Sequence, residues 1–219
     1  MRFVVEGLFL KIGGITTEED ALFSVALGAN AVGFDFALGE RQVDAGVVHD
    51  IVRRLPAGVM SIGTFRSELP QRVAEVANTI GLSAVQIEGP IASDELSYIT
   101  ERVNTVLRTV PDGVEKLALW QGVDYLVLPE LDDPAALDAS FEQLNHSTSR
   151  LPLIAGGGLT PTNVKDVVQR LPVFGVEVLG GVESAPGVKD PVKLGEFIAN
   201  ARWAYENSFV ERSYNEWSV

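Results

Sequence analysis

Short apolar runs alternate with turns and amphipathic segments along the whole chain, and this alternation restricts the fold more than any other feature. A buried strand followed by a helical segment of matching length is typical of a βαβ unit in a parallel sheet. Eight such runs are present. The pattern therefore predicts an α/β protein, a single (β/α)8 TIM barrel, with an open doubly wound sheet as the alternative.

The predicted strands are residues 8–15, 31–36, 58–65, 84–87, 104–110, 125–128, 151–155 and 173–179. Thr16, with Glu19 three residues later, predicts a capping box at the start of the first helix. Further helices are expected at 44–55, 69–80, 93–100, 114–120, 132–144 and 191–204. We assign residues 1–204 to the barrel and 205–219 to a tail that packs on the barrel or on a partner.

Composition excludes several classes of protein. The net charge of −13 disfavours nucleic acid and anionic membranes as partners, because both attract basic surfaces. The chain has no cysteine, no metal-ligand spacing and no apolar run long enough to span a membrane. The N-terminus lacks the layout of a signal peptide, so a cytoplasmic location is expected. We expect a monomer or a homodimer.

Glycines follow the last two predicted strands. Residues 156–158 come directly after the seventh strand and residues 180–181 after the eighth. Glycine lets the backbone approach a ligand closely, and N–H groups at the start of a helix attract anions. Barrel enzymes commonly bind phosphate between these two loops. The pattern predicts a site for a phosphorylated small molecule, and two simple tight turns are the alternative.

Several motifs resemble the phosphoribosylanthranilate isomerase family in order and spacing over nearly the whole chain. They are residues 11–16 (KIGGIT), 33–36 (GFDF), 41–43 (RQV), 84–89 (AVQIEG), 157–164 (GGLTPTNV), 175–178 (GVEV) and 181–190 (GVESAPGVKD). The resemblance implies a (β/α)8 barrel of tryptophan biosynthesis. It also implies an Amadori rearrangement of a phosphoribosylated amine, with one general acid, one general base and no cofactor or metal.

The resemblance also implies the substrate contacts. Backbone N–H groups of four residues would bind the phosphate: Gly157, Gly158, Gly181 and Val182. Arg41 would meet the carboxylate of the anthranilate group, since a guanidinium fork suits a carboxylate. Lys11 and Gln86 are assigned to substrate binding. The structural alternatives are a surface arginine at position 41 and an ion pair at the top of the first strand for Lys11.

Both proton-transfer positions of the family are replaced in this sequence. Gly13 stands where the family has its basic cysteine, and Pro129 stands where it has its acidic aspartate. Neither residue can transfer a proton. Three alternatives stay open: an isomerase that recruited other carboxylates, a protein that binds a phosphorylated ligand for another reaction, and a paralogue that has lost catalysis.

Three carboxylates are the candidate replacements. Asp35 interrupts an apolar strand and is expected beside Gly13, so we interpret it as the replacement base. Glu130 follows the sixth strand and is the candidate acid, while Glu88 ends the fourth strand and suits either role. The structural alternatives are a pairing of Asp35 with Lys11 or Arg108 and an ordinary loop carboxylate at Glu130.

Overall fold

The structure is a computed structural model that describes residues 7–110, 121–128 and 151–208. Eight parallel strands form a closed barrel in the order of the chain, which confirms the predicted TIM barrel and excludes the open sheet. The strands are β1 Phe9–Ile12, β2 Ala31–Asp35, β3 Met60–Phe65, β4 Ala84–Ile87, β5 Val106–Thr109, β6 Tyr125–Val127, β7 Leu153–Ala155 and β8 Gly175–Val178.

Amphipathic helices cover the outside of the barrel. The described helices are α1 Glu18–Ala26, α2 Ala45–Val52, α3 Pro70–Ile80, α4 Ser93–Thr100, α5 Val164–Arg170 and α6 Pro191–Glu206. Helix α6 continues past the predicted end at residue 204. The predicted helices 114–120 and 132–144 lie outside the described residues, as does most of the predicted tail. None of the described helices is long and apolar enough to cross a membrane.

The first helix begins one residue later than predicted. Thr17, not Thr16, is the N-cap, and its hydroxyl accepts a hydrogen bond from the N–H of Asp20 at 3.2 Å. Thr16 instead donates its hydroxyl proton to the carbonyl of Gly187 at 2.6 Å. The cap lies one residue further on because Thr16 is used to join the first βα unit to the loop after β8.

Apolar side chains fill the lower part of the barrel and polar ones the upper part. The apolar cluster consists of Phe9, Ala31, Met60, Ile62, Ala84, Leu107, Tyr125, Val127 and Ile154. Side chains alternate between the two faces of a strand, so the inward face continues through Lys11 on β1, Gln86 on β4 and Glu177 on β8. The barrel thus places a polar layer above an apolar plug, at the C-terminal ends of the strands.

A short hairpin follows β8. A 3-10 turn at Gly180–Val182 leads into two antiparallel strands, β9 Glu183–Ala185 and β10 Val188–Lys189. The hairpin contacts the start of α1, where the N–H of Lys189 donates to Asp20 Oδ2 at 3.2 Å. It therefore holds the last strand of the barrel against the first βα unit.

Candidate active site

A buried ion pair lies at the centre of the polar layer. Lys11 Nζ contacts Glu177 Oε1 in a short ion pair and donates a hydrogen bond to Gln86 Oε1 at 2.5 Å. All three residues are almost fully buried. Removing two charges from water is costly, and apolar residues of the same volume are often as stabilising as a buried pair. A buried pair in the interior of a barrel therefore points to chemistry more than to stability.

The polar layer extends from this pair to strands β2, β3 and β4 or their ends. Gln86 Nε2 lies 3.2 Å from Glu88 Oε1 and 3.5 Å from Glu177 Oε2, so one amide nitrogen separates the two carboxylates. Arg66, which follows β3, donates to Glu88 Oε2 at 2.8 Å and to Asp35 Oδ2 at 3.1 Å. The structure thus brings together four predicted site residues: Lys11, Asp35, Gln86 and Glu88.

The environment of Glu88 favours its protonated form. Burial raises the pKa of the Glu88 carboxyl, and the negative charge of Glu177 raises it further. Arg66 and Lys11 oppose this effect without cancelling it. A raised pKa is the usual property of a carboxyl group that acts as a general acid. Glu88 therefore has the electrostatic properties of a general acid.

The expectation that Asp35 lies beside Gly13 is wrong. Gly33 is the β2 residue next to Gly13: a Cβ built on Gly33 would lie 3.2 Å from the Gly13 Cα. Asp35 is further along β2, where Oδ1 accepts the N–H of Ala37 at 3.0 Å and Oδ2 accepts from Arg66. The structural alternative also named the wrong partners, since Lys11 bonds to other groups and Arg108 donates to backbone carbonyls.

Arg41 lies at the barrel mouth beside the first and last strands. It forms a bidentate pair with Glu183, with Nε–Oε1 at 3.0 Å and Nη2–Oε2 at 2.7 Å. Glu183 also accepts from Lys189 Nζ at 2.9 Å. Burial acts to raise the pKa of Glu183, but the hydrogen bonds and charges of Arg41 and Lys189 together outweigh it and lower the pKa. Two cations thus share this carboxylate, and Asp20 lies close to Lys189.

The glycine turns after β7 and β8 pack against each other. Gly157 and Gly158 both have left-handed backbone conformations, with φ of 67° and 63°. A Cβ on Gly181 would overlap the carbonyl oxygen of Leu159, so only glycine lets the two loops approach this closely. Among the described residues, no acceptor bonds to the N–H groups of Gly157, Gly158 or Gly181. Val182 differs, because its N–H lies 3.5 Å from the Leu179 carbonyl.

Gly181→Ala is expected to destabilise the contact between the two glycine loops. The added methyl group overlaps backbone atoms that cannot rotate away, so we expect a loss of about 1–3 kcal/mol in the free energy of unfolding. Gly195→Ala is the matched control, because its Cβ meets open space inside helix α6 and is expected to stabilise by roughly 0.5–1 kcal/mol. Urea unfolding of both variants checks this. Equal stability of the two would contradict the close contact.

Several residues of the site are not identified by the sequence analysis: Arg66, Glu177, Glu183 and Lys189. Glu177 carries a usable signal, because it interrupts an apolar strand just as Asp35 does. Arg66 continues the inward alternation of Ile62 and Thr64 past the end of β3. Glu130 lies outside the described residues. Within the described ranges, no three histidine, aspartate or glutamate side chains are arranged to hold a metal ion.

Comparison with known proteins gives consistent matches over almost the whole chain. The family profile of N-(5'phosphoribosyl)anthranilate (PRA) isomerase matches residues 10–200. The N-(5'-phosphoribosyl)anthranilate isomerase of Geotalea uraniireducens is 34% identical over 201 residues, which are 88% of this chain and 98% of that protein.

Two solved structures match at a similar level. The crystal structure of phosphoribosyl anthranilate isomerase from Thermotoga maritima has a TM-score of 0.80 and 32% identity, covering 90% of this chain and 99% of that one. A crystal structure of such an enzyme in complex with reduced 1-(o-carboxyphenylamino)-1-deoxyribulose 5-phosphate has a TM-score of 0.78 and 33% identity, with the same coverage.

Proposed function

Because the chain belongs to the N-(5'-phosphoribosyl)anthranilate isomerase family, we propose that it isomerises a phosphoribosylated amine by an Amadori rearrangement, as in tryptophan biosynthesis. The observation that supports this most directly is the pair of carboxylates, Glu88 and Glu177, separated by one amide nitrogen of Gln86 at the C-terminal ends of the strands. TIM-barrel enzymes have their active sites at this end. The reaction needs one acid and one base and no other chemistry.

The phosphate of the substrate binds in the glycine loops after β7 and β8. The N–H groups of Gly157, Gly158 and Gly181 make no hydrogen bond to any described residue and are the proposed donors, with Val182 as a weaker fourth. Binding the phosphate away from the reacting atoms orients the sugar without taking part in the reaction. The related structure with a bound phosphorylated ligand supports a phosphorylated small-molecule substrate.

Glu88 is the proposed general acid. Its raised pKa favours the protonated form, which can donate its proton to the ring oxygen as the sugar ring opens. Lys11 and Gln86 are proposed to orient the two carboxylates. Arg41 and Lys189, which share the carboxylate of Glu183, provide local positive charge for an anionic substrate in a protein of net charge −13.

Asp35 takes a different role from the one predicted. Both of its oxygens are engaged, by the N–H of Ala37 and by Arg66, and it lies away from Gly13. We propose that it holds Arg66, which in turn contacts Glu88.

The protein acts in the cytoplasm as a monomer or a homodimer. Both forms occur in the name of one related structure, which describes monomers generated from a dimeric enzyme.

Turnover of phosphoribosylanthranilate generated in situ tests the proposed function. We expect formation of the aminoketose product above a blank that contains the generating reaction without this protein. Asp35→Asn is expected to keep most of this activity, because asparagine preserves the shape of the contacts with Ala37 and Arg66. Absence of turnover would overturn the proposed reaction, and abolition of turnover by Asp35→Asn would restore Asp35 as a proton-transfer group.

A further inference from the structure

We propose that the carboxylate of Glu177 occupies the place of the missing cysteine thiol and is the general base that removes the proton from the sugar C2. This inference rests on the proposed isomerase function and assigns its second proton-transfer group. It differs from the base predicted from the sequence, because it places that role on β8 and not on β2.

Gly13 lies next to the Glu177 carboxylate. A Cβ built on Gly13 would lie 3.2 Å from Glu177 Oε1, so the carboxylate oxygen is in contact with the position of an attached side chain. Gly13 does not have a left-handed backbone conformation, so a residue with a side chain fits the backbone there. Of the three atoms nearest to this position in the described chain, the Glu177 oxygen is the one that belongs to a carboxylate.

The barrel makes room for this carboxylate with inward-facing glycines on three strands or their ends. A Cβ on Gly156 would lie 3.5 Å from Glu177 Oε2, and a Cβ on Gly33 would lie 3.1 Å from Lys11 Cε. Larger residues at Gly13, Gly33 or Gly156 would crowd the ion pair.

The charges around Glu177 suit a base. The Lys11 ammonium is in direct contact with it. On the other side of the Gln86 amide lies Glu88, whose pKa is raised by burial and by the Glu177 charge. Two carboxylates whose environments differ in this way supply one base and one acid. Lys11 is thus a positioning residue, which holds the Glu177 carboxylate and the Gln86 amide in place.

The proposed rearrangement moves protons and electron pairs only within the substrate and between it and the two carboxylates. Glu88 protonates the ring oxygen while the C1–O bond breaks, and the nitrogen lone pair forms a C1=N bond. Glu177 then takes the C2 proton, the C2–H electron pair forms a C1=C2 bond, and the C1=N electrons return to nitrogen. Loss of the C2 hydroxyl proton and protonation at C1 give the aminoketose, so no oxidant, reductant or co-reactant is needed.

Glu177→Gln tests the assignment directly. We expect kcat to fall by about 10²–10⁴-fold, the range for loss of a proton-transfer group, while Glu101→Gln, on the exposed surface, stays close to wild type. The reduced deoxyribulose 5-phosphate analogue bound by the related enzyme is the binding probe, and its Kd is expected to change little. Glu177→Asp keeps the charge next to Lys11 but withdraws the carboxylate, so a fall in kcat with a wild-type melting temperature separates catalysis from folding.

A restored thiol gives the second test. In the Glu177→Gln background, Gly13→Cys combined with Leu179→Ala is expected to recover at least about tenfold in kcat. The alanine removes the Leu179 Cγ that would otherwise lie 2.8 Å from the new Cβ, and the unpaired Lys11 charge lowers the pKa of the thiol. Gly13→Ser combined with Leu179→Ala in the same background is the control, because its hydroxyl has nearly the same shape and no thiol.

The outcomes separate the two proposals. Wild-type turnover that persists at full kcat in Glu177→Gln overturns Glu177 as the base and leaves the isomerase function intact. Loss of kcat in Glu177→Gln, together with unchanged analogue binding and recovery by the thiol, supports it. Loss of kcat in Glu177→Gln without recovery by the thiol, accompanied by wild-type kcat in Glu177→Asp, shows a structural role for Glu177. That result overturns its assignment as the base. A wild-type protein without turnover overturns the function and the assignment together.

Discussion

Lys11→Met is expected to lower the free energy of unfolding by about 3–5 kcal/mol at neutral pH. Methionine keeps the approximate length of the side chain but removes the ammonium group, so the carboxylate of Glu177 is left buried without its cation. Gln86 loses a hydrogen-bond donor to its Oε1 in the same change. Urea unfolding followed by circular dichroism measures the loss.

The double variant Lys11→Met with Glu177→Leu separates charge from packing. With both charges removed, we expect most of the lost stability to return, because an apolar pair of similar volume avoids the desolvation of two ions. The double variant is also expected to be inactive, since it lacks the proposed base. A double variant no more stable than Lys11→Met would show that packing around Lys11, and not the buried charge, accounts for the loss.

Glu88→Gln is expected to reduce kcat by about 10²–10⁴-fold, because glutamine cannot donate the proton that opens the sugar ring. The amide can still contact Gln86 and Arg66, so substrate binding and the fold should be preserved. In the wild type, kcat/KM is expected to fall as pH rises through the raised pKa of Glu88. The variant should lose this alkaline limb. Glu101→Gln, on the exposed surface, is the control and should leave the profile unchanged.

The same pKa shift predicts a change in stability with pH. The folded protein binds the Glu88 proton more tightly than the unfolded chain does. In the unfolded chain the pKa of this glutamate is near 4.5. Protonation of Glu88 therefore contributes stability that is complete below this value and is lost as pH rises through the raised pKa of the folded state. Burial, Glu177, Arg66 and Lys11 set that pKa, with Asp35 facing the same arginine. Glu88→Gln should flatten the stability profile over this range.

The order of elements follows from local sequence, and this is why the barrel was predictable. Alternating apolar and polar residues indicate strands, and the periodic segments between them indicate helices. The prediction for β4 matches the structure at both ends, Ala84–Ile87. The start of α1 is shifted by one residue because Thr16 bonds to Gly187, a contact from the far end of the chain that a local pattern cannot show.

The contacts inside the site depend on how neighbouring strands are staggered, and a single sequence does not contain that information. Asp35 and Glu177 look alike as charges within apolar strands, yet the register of β1 puts Glu177 opposite Lys11 and moves Asp35 away from Gly13. Arg66 resembles a surface residue in a polar loop, and only the closed barrel brings it between two carboxylates. The types of residue were predictable, whereas their partners were not.

The pairing of β1 with β8, which closes the barrel, has a consequence for synthesis of the chain. Lys11 and Glu177 are 166 residues apart, and the contacts of Thr16 with Gly187 and of Asp20 with Lys189 span similar lengths of chain. A ribosome adding about 5–20 residues per second needs roughly ten to thirty seconds to deliver β8 after β1. Through that interval β1 can pair on one side only, with β2. An unfinished chain therefore holds its first strand with one open edge, and the proposed acid Glu88 exists before the proposed base has been synthesised.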